Sequence, residues 1–185
     1  MGKITVETCE IEGLKIITPQ VFGDERGYFL ESYNYEDFKA AGIDPVFVQD
    51  NHSASKKGVI RGLHFQIKHP QDKLVRVVIG EVFDVAVDMR EGSETYGKWH
   101  GVLLSAENKK QFFVPKGFAH GFVVLSDYAE FEYKCSDVYH PEDQGGIMWN
   151  DPDIGIEWPI PSDMELTFSD RDTKWPGIKQ YRETK

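Results

Sequence analysis

A chain of 185 residues, 40% hydrophobic and 13% aromatic, is long enough for one sizeable core, and a single domain over residues 1–185 is expected. Its formal net charge of -10, from 31 acidic against 21 basic residues, repels a duplex or an anionic membrane, so neither nucleic acid nor membrane is an expected partner. No apolar run approaches the roughly 20 residues that span a bilayer, and "MGKITVETCEIEG" lacks the apolar stretch and cleavage site of a signal peptide, so a soluble cytoplasmic protein is expected.

In chain order, helical periodicity is confined to "YEDFKAAGI", residues 35–43, with acidic residues in a first turn, a short apolar face and a glycine stop. Nearly everything after it reads as strand. "VIRGLHFQ", residues 59–66, looks like a buried strand except for Arg61, His64 and Gln66. "KLVRVVIGEVFDVAVDMR" joins two β-branched runs at Gly80 and Glu81, which predicts a hairpin. "KKQFFVPKGFAHGFVVLS" and "AEFEYKCSDVY" continue the series, broken at Pro115, Lys116, Gly117 and at Ser126, Asp127. The tail from Trp149 is rich in Pro and Asp and is expected to wrap the strands as ordered coil with short helical turns. Many short strands with turn signals predict an all-β sandwich or barrel. Cys9 and Cys135 match no zinc spacing and read as free thiols.

Alternation gives the polar residues a direction. If residues 60–66 are extended, Leu63 and Phe65 share one face while Gly62, His64 and Gln66 share the other. The same counting groups Lys73 with Val75, Val77 and Ile79, and Tyr133 with Phe131 and Cys135. An imidazole, an ammonium and a phenol then fall on faces that are otherwise apolar or small. Each alone has a plainer reading: a satisfied strand histidine, a surface lysine, a core aromatic. Together on inward faces they define a candidate cavity, because uncompensated burial of such groups costs several kcal/mol.

"FVPKGFAHGF" carries the spacing P-x-G-x-x-H at Pro115, Gly117 and His120 and resembles the second motif of the cupins, small jelly-roll barrels. Metal-binding cupins pair it with H-x-H and a glutamate four or five residues later. Here His64 is present, Gln66 takes the second histidine's place, and Pro70 or Gln71 stands where the carboxylate would be. Three protein ligands are needed for an open catalytic metal site, so no metal is expected. No nucleophile elbow or phosphate loop is present either, and the inventory suits proton abstraction next to a carbonyl.

The landmarks "DERGYFLESY", "FVQDNHSASKKGVIRGLHFQ", "QDKLVRVVIGEVFDVAVDMR", "FFVPKGFAHGF", "YKCSDVYHPE", "WNDPDIGIEWP" and "SDRD" together closely resemble the dTDP-4-dehydrorhamnose 3,5-epimerase family over nearly the whole chain. That resemblance implies a cupin-type jelly-roll barrel with short peripheral helices, no cofactor, a dTDP-4-keto-6-deoxyhexose substrate and a homodimer with an exchanged N-terminal strand. It implies that His64 removes the C5 and C3 protons, that Asp172 orients it, that Tyr133 delivers a proton on the opposite face and that Lys73 stabilises the enolate. His120 would contact the sugar. Arg26, Glu31, Gln49, Asn51 and Arg61 would contact the nucleotide and diphosphate, with Phe29 near the thymine, although Arg26 and Glu31 also fit a cross-strand ion pair. Gln144 and Arg171 stand where many members have Glu and Lys, at peripheral ligand contacts, and Tyr139 is a second candidate phenol. Alternatives are a mono-epimerase or 3,4-ketoisomerase on a related sugar nucleotide, a sugar-nucleotide-binding cupin without activity, and a metal-dependent cupin.

Overall fold

The computed structural model describes residues 3–184. The strands are β1 (Ile4–Thr8), β2 (Lys15–Pro19), β3 (Val21–Asp24), β4 (Gly27–Leu30), β5 (Gln49–Lys56), β6 (Ile60–Gln66), β7 (Lys73–Ile79), β8 (Glu81–Asp88), β9 (Trp99–Ser105), β10 (Gln111–Val114), β11 (Phe118–Val124), β12 (Tyr128–Cys135) and β13 (Gln144–Gly146). Two short helices, α1 (Tyr35–Ala40) and α2 (Ile178–Glu183), lie outside them. A six-stranded sheet in the order β1-β2-β10-β7-β12-β5 packs on a five-stranded sheet in the order β13-β6-β11-β8-β9, while β3 and β4 pair only with each other. This is an all-β, cupin-type jelly-roll barrel with short peripheral helices.

Alternation along the strands builds the core. Val75, Val77, Phe112 and Phe131 of the six-stranded sheet meet Val82, Ala86, Phe118 and Phe122 of the five-stranded sheet. Each such side chain, fully buried, contributes roughly 1.5–3 kcal/mol. The opposite parity of the five-stranded sheet, Leu63, Val85, Val87 and Ala119, is covered by Ile147, Ile154 and Ile178 of the C-terminal tail. Covering on both faces explains why β8 and β11 read as continuous apolar runs. The outer face of the six-stranded sheet takes Phe38 of α1 against Ile17, Leu74 and Phe113. That helix starts where Asn34 accepts bonds from the backbone N–H groups of Glu36 and Asp37, and its acidic first turn suits the positive N-terminal end.

One expected connection is different. β7 and β8 do not form a hairpin; the chain leaves one sheet at Gly80 and enters the other. Gly80 has φ +77, and a Cβ there would stand 2.1 Å from the Tyr128 carbonyl oxygen, so the corner needs glycine. The two β-branched runs with a glycine between them encode a turn, but not whether it stays within one sheet. The expectation for the tail holds: it runs as coil and turns over the five-stranded sheet, with a parallel bridge from Thr167 to Val59.

The site is positioned by a close approach of β6 and β11. Adding a Cβ at Gly121 would bring it 2.5 Å from the Arg61 carbonyl oxygen, and one at Gly62 would lie 2.5 Å from the Gly121 Cα. Here the pairing shifts register, with His120 opposite His64 but Phe122 opposite Arg61. β6 thus carries one extra residue, a bulge that changes which side chains share a face. Gly121→Ala is expected to destabilise the fold by about 1–3 kcal/mol through overpacking against backbone. Urea unfolding checks this: the midpoint falls while the slope is unchanged.

Candidate active site

The inner faces of the two sheets enclose a cavity of about 610 Å³, open at one end of the barrel. β6 and β11 supply His64, Gln66 and His120, the facing β7 and β12 supply Lys73, Tyr133 and Cys135, and the tail supplies Arg171 and Asp172. Gln49, Asn51, Arg61, Tyr139 and Gln144 complete the part of the lining that the sequence singled out. Arg61 and His64 both reach the cavity because of the bulge; strict alternation would have set them on opposite faces.

Arg26, Phe29 and Glu31 do not line this cavity. Their hairpin stands off the barrel, pairing with neither large sheet, and Phe29 is 65% exposed. Arg26 pairs with Asp24 at 2.5 Å within its own turn, not with Glu31, because the β3–β4 register ends at Val21 and Leu30.

His64 Nε2 lies 2.5 Å from Asp172 Oδ1. The tail reaches this point because Thr167 bonds both Gly58 and Ile60, and a turn then brings the Asp172 N–H back to Ser169. Asp172 is 2% exposed, whereas Asp170 points to solvent. Burial pushes the His64 imidazole below the usual histidine range, against the opposing pull of Asp172. Burial works to raise the Asp172 carboxyl, but bonds from His64, Ser169 and Trp175 outweigh it and hold the group below the usual carboxylate range. At neutral pH the pair is therefore carboxylate and neutral imidazole. Nε2 carries the hydrogen and donates it to Asp172, which leaves the lone pair on Nδ1.

Across the cavity, burial pushes the Tyr133 phenol up to about 12, with the Cys135 thiol adding to the rise and Arg61 opposing it. It keeps its proton. Burial lowers the Lys73 ammonium, while Cys135 and Asp84 act in the other direction. His120 Nε2 lies 2.9 Å and 3.0 Å from the two oxygens of Asp84, which is fully buried on β8. Gln66 does not resemble a metal ligand: its amide bonds the backbone of His69, Val138 and His140. Among the described residues, no three His, Cys, Asp or Glu side chains gather where they could hold a metal.

The sequence model of the dTDP-4-dehydrorhamnose 3,5-epimerase family matches residues 8–180. The chain belongs to that family. The dTDP-4-dehydrorhamnose 3,5-epimerase of Methanothermobacter thermautotrophicus is 54% identical over 180 residues, covering 97% of each chain. That of Pseudomonas aeruginosa is 58% identical over 160 residues, covering 86% of this chain and 88% of its own. Among solved structures, the dTDP-6-deoxy-D-glucose-3,5-epimerase of Legionella pneumophila, in complex with dTDP-4-keto-L-rhamnose, superposes with TM-score 0.92 at 50% identity, covering 95% of this chain and 93% of that one.

Two residues that hold side chains of the candidate site were not singled out in the sequence. Asp84 is one of two acids, with Asp88, on the inward parity of "VFDVAVD", and a carboxylate inside a β-branched run signals a buried partner. Trp175 Nε1 donates to Asp172 Oδ1 at 3.4 Å, and its ring stands edge-on to His64 with centroids 6.1 Å apart. Gly146, opposite His64 on β13, makes room for it, since a Cβ there would lie 2.4 Å from the indole. Apart from Asp172 three residues before it, the neighbours of Trp175 come from β6 and β13, so no local pattern marks it.

The geometry fixes the sign of an electrostatic test. Asp172→Asn removes the charge that favours the imidazolium but leaves the burial that disfavours it. The His64 pKa, read by NMR titration of the ring in the free protein, is expected to start below the usual histidine range. It should fall further in the variant, because the raising pull of the Asp172 charge is gone.

Proposed function

We propose that the chain catalyses cofactor-independent 3,5-epimerisation of dTDP-4-dehydro-6-deoxy-D-glucose to dTDP-4-dehydro-L-rhamnose, a step of dTDP-L-rhamnose biosynthesis, acting as one domain over residues 1–185. The observation that carries it is a pair of proton carriers on opposite walls of one cavity: His64, tied to Asp172, and Tyr133. The names of the relatives support the substrate class.

The 4-keto group acidifies the hydrogens on C3 and C5. His64 Nδ1 takes one of them, and the C–H electron pair moves into an enolate whose oxygen faces the Lys73 ammonium. Asp172 holds the imidazolium that forms, by the bond that already orients the neutral ring. Tyr133 then gives its proton to the carbon from the other side, and the positive charge of Arg61 favours the resulting phenolate. Inversion requires this separation, because one group acting alone would return hydrogen to the face it left. His120, held by Asp84, contacts the sugar. Arg61 and Arg171 suit the diphosphate through forked bonds, with Gln49, Asn51, Tyr139 and Gln144 at the mouth.

In this reading the protein is a cytoplasmic homodimer, and the β3–β4 hairpin of one copy brings Arg26, Phe29 and Glu31 to the cavity of the other. Supporting it, Val21, Phe22, Tyr28 and Phe29 are 42%, 44%, 63% and 65% exposed, an apolar patch on a hairpin that pairs with neither large sheet.

Incubation with the 4-keto sugar nucleotide in heavy water tests the reaction. Deuterium at both C3 and C5 by NMR is expected; label at one carbon would make the protein a mono-epimerase, and none would leave a binding protein. His64→Ala should lower the rate by about 10²–10⁴. Tyr133→Phe should still release substrate hydrogen to solvent while net inversion is lost.

A further inference from the structure

Residues 137–140 lie outside any strand or helix and carry Tyr139, which lines the cavity and is 46% exposed, placing it at the opening. Glutamine side chains hold this segment. Gln66, 6% exposed at the end of β6, donates from Nε2 to the Val138 carbonyl at 3.2 Å and to the His69 carbonyl at 2.7 Å, and accepts the His140 N–H at 2.6 Å. Both peptide groups flanking Tyr139 therefore rest on one buried amide. Around it, Gln49 accepts the Tyr139 N–H at 2.9 Å, Gln71 donates to the Asp137 carbonyl at 2.7 Å, and Gln144 accepts the Tyr139 hydroxyl at 2.8 Å.

We infer that Gln66 is a positioning residue for substrate binding: it fixes Tyr139 at the rim and thereby sets affinity for the part of the sugar nucleotide outside the reacting pocket, not the rate of proton transfer. The physical case is the burial. A primary amide supplies the donors and the acceptor that this backbone needs without introducing charge beside an anionic substrate, and no other uncharged side chain of that length does so. The chemistry itself is held separately, His64 by Asp172 and His120 by Asp84. The inference rests on the epimerase reading above.

The test is a double-mutant cycle. Gln66→Met keeps the length and removes every bond; Gln66→Glu sets a carboxylate oxygen against the Val138 and His69 carbonyls. Each is expected to raise KM about tenfold while kcat changes less than about twofold, the scale of losing one or two net hydrogen bonds. In a Tyr139→Ala background, Gln66→Met should raise KM by less than about twofold, because the residue through which it acts is gone. An equal loss in kcat, or a full tenfold effect persisting without Tyr139, would overturn the assignment. Should Gln66→Met not fold, Gln71→Met cuts one outer bond of the same segment and should raise KM about threefold with kcat kept; an unchanged KM would count against the clamp. Amide hydrogen exchange separates this from the reading of function. Faster exchange at residues 137–140 in Gln66→Met, with β11 unchanged, is expected even if wild-type protein turns over no keto sugar, and unchanged exchange there overturns the clamp by itself.

Discussion

Where β6 crosses β11, the two backbones come closer than any side chain would allow, and glycine at positions 62 and 121 is what lets them. The contact does more than fill space. Because the shift in register adds one residue to β6 at this point, Arg61 and His64, three residues apart, both turn inward, and His64 is set directly opposite His120. A charged arginine for an anionic substrate and the imidazoles beside it thus share one wall of a barrel whose other wall carries Lys73 and Tyr133. A bulge at this place acts as such features commonly do near functional sites, by re-aiming side chains that regular pleating would send apart.

Burial then sorts the proton carriers. The same removal from water acts in opposite directions on a base that is neutral when free and on an acid that is neutral when protonated: it lowers His64 and raises Tyr133 to about 12. At neutral pH each group therefore sits in the form the proposed step requires, an imidazole with an available lone pair and a phenol with its hydrogen. Pushing two titrating groups apart in this way fits the base and acid roles proposed for them. The cost of the dry interior falls on the carboxylates with different outcomes: at Asp172 the bonds from His64, Ser169 and Trp175 outweigh it, whereas at Asp84 burial outweighs the pull of His120 and Lys73 and holds the carboxyl above the usual carboxylate range.

Much of this was legible in the sequence because strands impose a period of two. Counting from His64, Lys73 and Tyr133 correctly assembled three polar groups inside one barrel, and Pro115, Gly117 and His120 marked the strand that completes the wall. What failed was information that a local period cannot hold. The glycine at position 80 announced a turn, but the sheet exchange there depends on which strands pair, and those lie far away in sequence. Arg61 needed the bulge to be placed at all. Arg26 and Phe29 lie in a hairpin that pairs with neither large sheet, and Glu31 directly follows it, so no inward or outward parity could be assigned to them.

The division between floor and rim has a physical basis in how the two parts are built. The floor residues His64, Lys73, His120 and Tyr133 project from paired strands, where the ladder fixes the backbone and the freedom left is mainly the side-chain rotamer; this is the precision that proton transfer demands. Rim residues sit on connecting segments whose backbone groups have no ladder to join, so something else must satisfy them. In this chain that role falls to amide side chains. A carboxylate in their place would repel both the peptide carbonyls it had to meet and a substrate that is itself anionic. A lysine could supply donors but no acceptor for the His140 N–H. Amides have no titration in the working range, so the rim keeps its shape while the protonation states of the floor change through the reaction.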